Sequence, residues 1–295
     1  MRALITGGRG FVGRHLEDHL VSKGDEVSII DLETDVTDAD AVTAAVVAAQ
    51  PEVIYHLAAL AHVGDSWSAP AHVLSVNVIG TANVLAAARQ LEHACLVLVV
   101  SSAEVYGIVG PDDLPLSETA EVKPASPYAA SKAAAEQVAL QATRGFGQKV
   151  IVARPFNHVG PGQAPTFAVP ALAKRIVDAV AAGSRSLPVG TLSTRRDFTD
   201  VRDVVAAYRL LVVSGRSGEI YNVCSGHDVE IAEVAASLLR LAETSLELAT
   251  DPSLVRPVDV PVLRGDSSKL TAETGWAPTI DLETTLRDVF ESFGS

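Results

Sequence analysis

The sequence predicts an α/β protein: a doubly wound parallel sheet with a smaller mixed portion towards the C-terminus. Three observations carry that expectation. The apolar run Ala3 to Thr6 ends in Gly7-Gly8-Arg9-Gly10-Phe11-Val12-Gly13, after which Phe11, Val12, Leu16 and Leu20 recur at helical spacing as far as Gly24. Apolar runs and helical patterns then alternate regularly up to Ala153, as in a parallel sheet covered by helices on both faces. From Arg154 onward the alternation breaks, and helices and short strands mix without a repeat.

The first unit reads as strand, glycine turn and helix. Gly7, Gly10 and Gly13 form a GxxGxxG spacing. Glycines there let backbone amides and the helix N-terminus approach a pyrophosphate with no Cβ in the way. A second strand, Glu26 to Ile30, ends at Asp31, about 20 residues on, which is the context a dinucleotide-binding turn requires. Candidate cofactor residues are therefore Gly7, Gly10, Phe11, Val12, Gly13 and Asp31. Asp31 can accept from both ribose hydroxyls and would repel a 2′-phosphate, so NAD(H) is favoured. Arg9, in the glycine turn, keeps NADP(H) open.

Asp35-Val36-Thr37-Asp38 reads as a loop and N-cap before an Ala/Val helix, and Val53 to Leu57 as the third strand. It runs into Leu57-Ala58-Ala59, small enough for close backbone approach to a cofactor. His56 and His62 flank this turn and fit hydrogen-bonded structure better than catalysis. Residues 70 to 90 read as a long helix and Leu96 to Val100 as a buried central strand with Ser101-Ser102 at its carboxyl end. Ligands of open α/β sheets sit outside the carboxyl ends of the strands, which is where Ser102 and the glycine turn both fall.

Ser126-Pro127-Tyr128-Ala129-Ala130-Ser131-Lys132 opens the next helix, with Ser126 as N-cap and Pro127 in its first position. Tyr128 and Lys132 then lie one turn apart on one face. A phenol titrates near ~10, and the neighbouring ammonium is expected to lower that value towards neutrality, making Tyr128 a proton donor or acceptor. Ser102 would add a second hydrogen bond to a substrate oxygen.

After the strand Val150 to Ala153, the segment Arg154 to Gly162 is punctuated by Pro and Gly and reads as a loop. Arg195-Arg196 precedes a helix from Val201 to Val213, and Arg256-Pro257 lies in a late loop. Local arginines in an acidic protein suit a diphosphate, although each also suits a surface ion pair. The expected division is 1–154 for a Rossmann-like dinucleotide-binding domain. Residues 155–295 then serve mainly substrate binding, with some segments returning to the sheet.

The chain has 295 residues and a formal charge of −13, which argues against nucleic acid and anionic membranes as general partners. Cys95 and Cys224 lack metal-ligand spacing and read as buried reduced thiols, so no metal and a cytoplasmic location are expected. The start, Met1-Arg2-Ala3-Leu4-Ile5-Thr6, carries no leader pattern, and no apolar run approaches the length of a membrane span.

Taken together, Gly7-x-x-Gly10-x-x-Gly13, His56-Leu57-Ala58-Ala59, Ser102 before Tyr106, Tyr128-x-x-x-Lys132 and Arg154-Pro155-x-Asn157 resemble the extended short-chain dehydrogenase/reductases that modify nucleotide-diphosphate sugars. The likeness continues through Arg196-Asp197-Phe198-Thr199-Asp200-Val201, Tyr221-Asn222-Val223-Cys224-Ser225-Gly226 and Arg256-Pro257. The segments Val152 to Gln163 and Asp251 to Trp276 look most like the GDP-4-dehydro-6-deoxy-D-mannose reductases.

The resemblance implies that Tyr128 is the acid/base, that Lys132 binds the nicotinamide ribose and tunes it, and that Ser102 orients the sugar C4 oxygen. It places Asp35, Val36 and Pro155 at the cofactor, and Asn157, Arg196 and Arg256 at the substrate. It also implies a homodimer through the helix after Pro70 and the Tyr128 helix, with Ala129, Ala133 and Ala134 allowing close approach. Glu104 matches the Glu that removes a C5 proton in related 4,6-dehydratases, while Ala103 replaces their assisting Asp. A C4-ketone reductase is thus expected, with a dehydratase or C4-epimerase holding tight NAD as the alternative. A carboxylate satisfied by backbone at a strand end is the structural reading of Glu104.

Overall fold

The computed structural model describes residues 1–254 and 260–294. Its centre is a six-stranded sheet in the order β2-β1-β3-β4-β5-β9, parallel throughout. The strands are β1 (Arg2–Thr6), β2 (Glu26–Ile30), β3 (Val53–His56), β4 (Leu96–Val100), β5 (Val150–Pro155) and β9 (Ile220–Val223). β1, β3, β4 and β5 are apolar and covered on both faces, as parallel strands in a sheet interior must be.

On one face lie α1 (Phe11–Ser22) and α8 (Val201–Ser214), whose Leu16, Leu20, Tyr208 and Leu211 are fully buried. On the other lie α2 (Ala39–Ala49), α5 (Gly80–Ala88) and α6 (Pro127–Phe146), contributing Val42, Val46, Val84, Leu85 and Ala139. Each fully buried Val or Leu is worth about 1.5–3 kcal/mol of transfer free energy, so these two layers hold the sheet. The chain leaves β1 towards β2 on one side and returns to β3 on the other. That reversal opens a crevice at the carboxyl ends of the strands.

Between β3 and β4 run α3 (Val63–Ser66), α4 (Pro70–Leu74) and α5, the last two continuous through a π-helical turn at Ser75–Ile79. The helix Pro70–Ala88 has 19 residues and a mean hydropathy of 1.4, enough by length and composition to cross a membrane. That corrects the expectation that nothing approaches a span. Its apolarity has a simpler use, because Val73 is buried, Val84 and Leu85 pack against the sheet layer, and Asn77 and Thr81 are buried and hydrogen-bonded.

The later half adds a second, smaller assembly. β8 (Arg195–Asp200) pairs with β10 (Asp228–Glu230), β12 (Val262–Leu263) and β6 (Asn157–Val159). β7 (Ser186–Val189) pairs with β11 (Glu247–Thr250). α7 (Ala168–Ala181), α9 (Ile231–Leu241) and α11 (Leu282–Gly294) close a third apolar cluster around Leu172, Ile176, Leu238 and Leu286, while α10 (Ser268–Thr274) packs Leu270 against the main sheet layer.

The expected loop from Arg154 is largely strand. Arg154 and Pro155 complete β5 and Asn157–Val159 forms β6, while Arg195 and Arg196 begin β8. Pro155 is tolerated because it ends its strand, where a missing N–H costs little.

Candidate functional site

A cleft of about 1100 Å³ opens at the carboxyl ends of the strands. Its walls include Gly7, Gly10, Phe11, Val12, Gly13, Asp31, Asp35, Val36, Leu57, Ala58, Ala59, Ser102, Glu104, Tyr128, Lys132, Pro155, Asn157 and Arg196. The structure thus brings together every catalytic, cofactor and substrate candidate that it describes. Arg256 and Pro257 lie outside the described residues.

One end of the cleft is built from backbone. Gly7 has φ +70°, and a Cβ there would stand 2.9 Å from the Ala58 Cα. A Cβ on Gly13 would stand 2.5 Å from the carbonyl oxygens of Gly7 and Gly8, so only glycine lets α1 start this close to the turn. No side chain caps α1 at Gly10. An uncapped helix start beside a glycine turn fits a pyrophosphate, and the residues present therefore suit a nicotinamide dinucleotide.

Asp31 sits at the end of β2, accepting from Arg9 N at 2.7 Å and Leu32 N at 2.9 Å. The Arg9 guanidinium, which kept NADP(H) open, pairs with Glu33 at 3.2 Å and is not part of the cleft wall. Asp35 accepts from Thr37 N and Oγ1, both at 2.8 Å, while Asp38 caps α2.

The Leu57–Ala61 stretch is held in place by its neighbours. Ala58 N donates to Thr6 Oγ1 at 3.1 Å, and Asn77, in the π-turn, exchanges bonds with Leu60 N and O and donates to Ser131 Oγ at 2.8 Å. His56 is buried between Thr6 at 2.8 Å and Thr81 at 3.0 Å. Thr81 gives its own proton to Asn77 O, so His56 must donate from Nε2 and accept at Nδ1. Burial, with Lys132 adding, pushes its pKa down to about 3, and it stays neutral as structure. His62 caps α3. Asn77 was not singled out from the sequence, because an Asn in an apolar helix signals nothing until its partners are known.

At the floor, Ser126 caps α6 by accepting from Ala129 N at 3.1 Å, and Pro127 opens it. Tyr128 is buried with Ser102 near enough to act on its phenol, and the Ser102 Oγ accepts from Glu104 N at 3.2 Å. The expected lowering of the Tyr128 pKa does not occur in this structure. Burial pushes it up to about 12, Ser102 opposes that rise and the Glu104 charge adds to it. Lys132 directs its ammonium to Val100 O at 2.8 Å, and burial pushes its own pKa down to about 8 against the pull of Glu136. Removal from water is the largest influence on each group, and neither acts on the other.

Around the remaining wall, Arg196 donates to Val260 O at 2.7 Å and Arg195 O at 2.9 Å. Arg195 turns away into an ion pair with Asp228. Asn157 Oδ1 and the Tyr208 hydroxyl are buried without a hydrogen-bond partner and both residues line the cleft. Buried polar atoms are seldom left so, and such atoms are points where a ligand would bond. Tyr208, in an apolar helix stripe, carries no sequence signal of this. Among the described residues no group of His, Cys, Asp and Glu could hold a metal ion.

A dinucleotide turn, a switch-point crevice and a Ser–Tyr–Lys floor define an NAD(P)-dependent oxidoreductase of the extended short-chain dehydrogenase/reductase type. More particularly, the chain belongs to the family described as GDP-mannose 4,6 dehydratase, whose model matches residues 32–289. It is 35% identical over 297 residues to the GDP-6-deoxy-D-mannose reductase of Pseudomonas aeruginosa, covering 100% of this chain and 97% of that one. Among solved structures it resembles RMD from Pseudomonas aeruginosa complexed with NADPH, with a TM-score of 0.91, 34% identity and 99% of each chain covered. It also resembles the UDP-glucose 4-epimerase of Thermus thermophilus in complex with NAD, with a TM-score of 0.89, 30% identity, and 100% and 99% covered.

Proposed function

We propose that the protein reduces the C4 ketone of a nucleotide-linked 4-keto-6-deoxyhexose, GDP-4-dehydro-6-deoxy-D-mannose, to GDP-D-rhamnose or its C4 epimer. The observation that carries this reading is the buried Tyr128 phenol beside Ser102 in the cleft wall: burial pushes its pKa up to about 12, so it is a stored proton. Ketone reduction needs a proton for the oxygen, and the likeness to a GDP-6-deoxy-D-mannose reductase over the whole chain supports that direction.

Bound in the cleft, a reduced nicotinamide supplies the hydride. Ser102 holds the C4 oxygen, Tyr128 gives it a proton as negative charge develops, and the Lys132 ammonium stabilises that charge. Asn157 and Arg196, with Arg256, hold the sugar diphosphate. Gly7, Gly10, Phe11, Val12, Gly13, Asp35, Val36, Leu57, Ala58, Ala59 and Pro155 hold the dinucleotide. Residues 1–154 form the dinucleotide-binding domain and 155–295 mainly the sugar-nucleotide portion.

NADH is favoured over NADPH. Asp31 and Glu33 are acidic, and Glu33 already engages Arg9. NADPH remains the coenzyme to compare, since the Pseudomonas aeruginosa RMD structure contains it.

A homodimer forms across the outer face of the Pro70–Ala88 helix, where Leu74 is 43% and Ile79 50% exposed, and nearby Trp67 is 51% exposed. Ala129 is already buried within its own chain, so Ala133 and Ala134 are the small residues left for that contact. The location is cytoplasmic, without nucleic-acid or membrane partners, in keeping with the charge of −13.

One observation favours a second reading. Glu104 lines the cleft and its charge acts on Tyr128, which suits a 4,6-dehydratase or C4-epimerase that keeps its NAD. The test is the absorbance of NADH, then NADPH, on mixing the protein with GDP-4-keto-6-deoxymannose. Oxidation stoichiometric with the keto sugar supports the reductase, and none with either coenzyme, together with tightly held NAD, turns the reading to Glu104 chemistry.

A further inference from the structure

Four segments that meet at the floor of the cleft are fastened by one buried ion pair. Glu136 lies one turn beyond Lys132 on α6 and is 1% exposed, and Arg154, near the end of β5, is 2% exposed. Arg154 donates from Nε to Glu136 Oε1 at 2.8 Å and from Nη2 to Oε2 at 2.7 Å, a two-pronged contact. Ser101 Oγ donates to the same carboxylate at 2.5 Å. Arg154 Nη1 donates to the Tyr106 hydroxyl at 3.0 Å, which in turn donates to Asn222 Oδ1 at 2.7 Å.

The partners are not scattered. Ser101 adjoins Ser102, and Tyr106 ends the short turn Ala103–Tyr106 that carries Glu104. Glu136 continues the helix face of Tyr128 and Lys132, and Arg154 directly precedes Pro155 and the Asn157 strand. Stability alone does not account for such a pair. Desolvating two charges offsets most of their attraction, and apolar residues of the same volume often serve as well or better. What the pair supplies is a fixed distance between three strand ends and one helix.

We propose that Glu136 is a positioning residue: through Ser101, Arg154 and its own helix it sets the mutual placement of Ser102, Tyr128 and Lys132. The inference rests on the carbonyl-reducing reading above. The groups that act on Lys132, or that it acts on, are Glu136 one turn on along α6 and His56 from β3; Tyr128 shares the helix, Arg154 is held by Glu136, and Glu104 acts on Tyr128. His56 is neutral, and the Arg154 charge is closed by Glu136. Glu136 is thus the group that helps Lys132 keep its proton, and removing its charge also leaves the buried Arg154 guanidinium without its counter-charge.

The test uses the full chain. Lysine 13Cε NMR is practicable because there are six lysines, and Lys132 is assigned by the signal lost in Lys132→Met. In Glu136→Gln the Lys132 titration midpoint is expected to fall by about one pH unit or more. The double variant Glu136→Met with Arg154→Met is expected to fold and bind NADH, and to lose about 10²-fold in kcat with the sugar-nucleotide KM within about threefold. An unmoved midpoint in Glu136→Gln overturns the proposal, as does a folded double variant with wild-type kcat. If the double variant does not fold, Glu136→Gln alone decides. If the wild type oxidises neither NADH nor NADPH with a keto sugar, the proposed reaction falls, and the Lys132 midpoint still decides for or against Glu136.

Discussion

At the floor of the cleft Tyr128, Lys132 and His56 are buried, and their proton affinities follow burial before anything else. At the rim, Asp31 bonds backbone amides and Arg9 and Glu33 pair at 68% and 46% side-chain exposure. Water is excluded from the first region and screens the second. One protein therefore has a region where a single proton decides reactivity and a region where several weak contacts decide which coenzyme is preferred. A substitution at the floor should change turnover, and one at the rim should change a ratio.

The sharpest break of that contrast is Tyr128→Phe. It removes the stored proton and leaves the ring, so kcat should fall by about 10²- to 10⁴-fold while NADH affinity, followed by fluorescence, stays nearly unchanged. Near-normal turnover would take Tyr128 out of the chemistry. Next comes Gly13→Ala, which belongs to neither region but to the backbone between them. Its Cβ would meet the Gly7 and Gly8 oxygens at 2.5 Å, so the turn must open. The expected cost is about 1–3 kcal/mol in stability, seen as a lower Tm, with weaker coenzyme binding in titration.

The pH profile separates the floor from the rim more finely. A lysine is charged below its pKa and neutral above it, and Lys132 lies near 8. Reductive kcat/KM should therefore be level below that value and fall about tenfold per unit above it. Tyr128, near 12, remains protonated across the same range. Lys132→Arg should move the alkaline limb upward, and a limb that stays in place would assign it to another group. The smallest effect is expected at the rim. Asp31→Asn removes one partly screened charge, worth about 1 kcal/mol in water and more near the surface. The NADPH to NADH preference should rise by roughly tenfold, and less at high salt. A larger drop in kcat than in the ratio would mean that Asp31 acts on the floor.

Much of the site was legible along the chain because local rules govern it. The spacing of Gly7, Gly10 and Gly13, the cap at Ser126 and Pro127, and the strand ending at Asp31 each depend on residues within a turn or two. What was misread lay at longer range. Arg154, Pro155 and Asn157 look like a loop because proline and glycine follow them, yet pairing with β9 and β8 makes them strands. Asn77 and Tyr208 gave no sign at all, since a buried polar atom has meaning only through what surrounds it.

The chain by itself determined the order of strands and helices as far as Ala153, the glycine turn and the placing of Tyr128 and Lys132 on one helix face. Those follow from periodicity, capping and backbone freedom, which act over a few residues. The tertiary structure alone decided the proton affinities and the alignment. Burial raised Tyr128 instead of letting Lys132 lower it, and Ser101 and Arg154 came together on the Glu136 carboxylate with Tyr106 joined through Arg154. Desolvation and long-range contact are properties of the packed whole, and no stretch of sequence contains them.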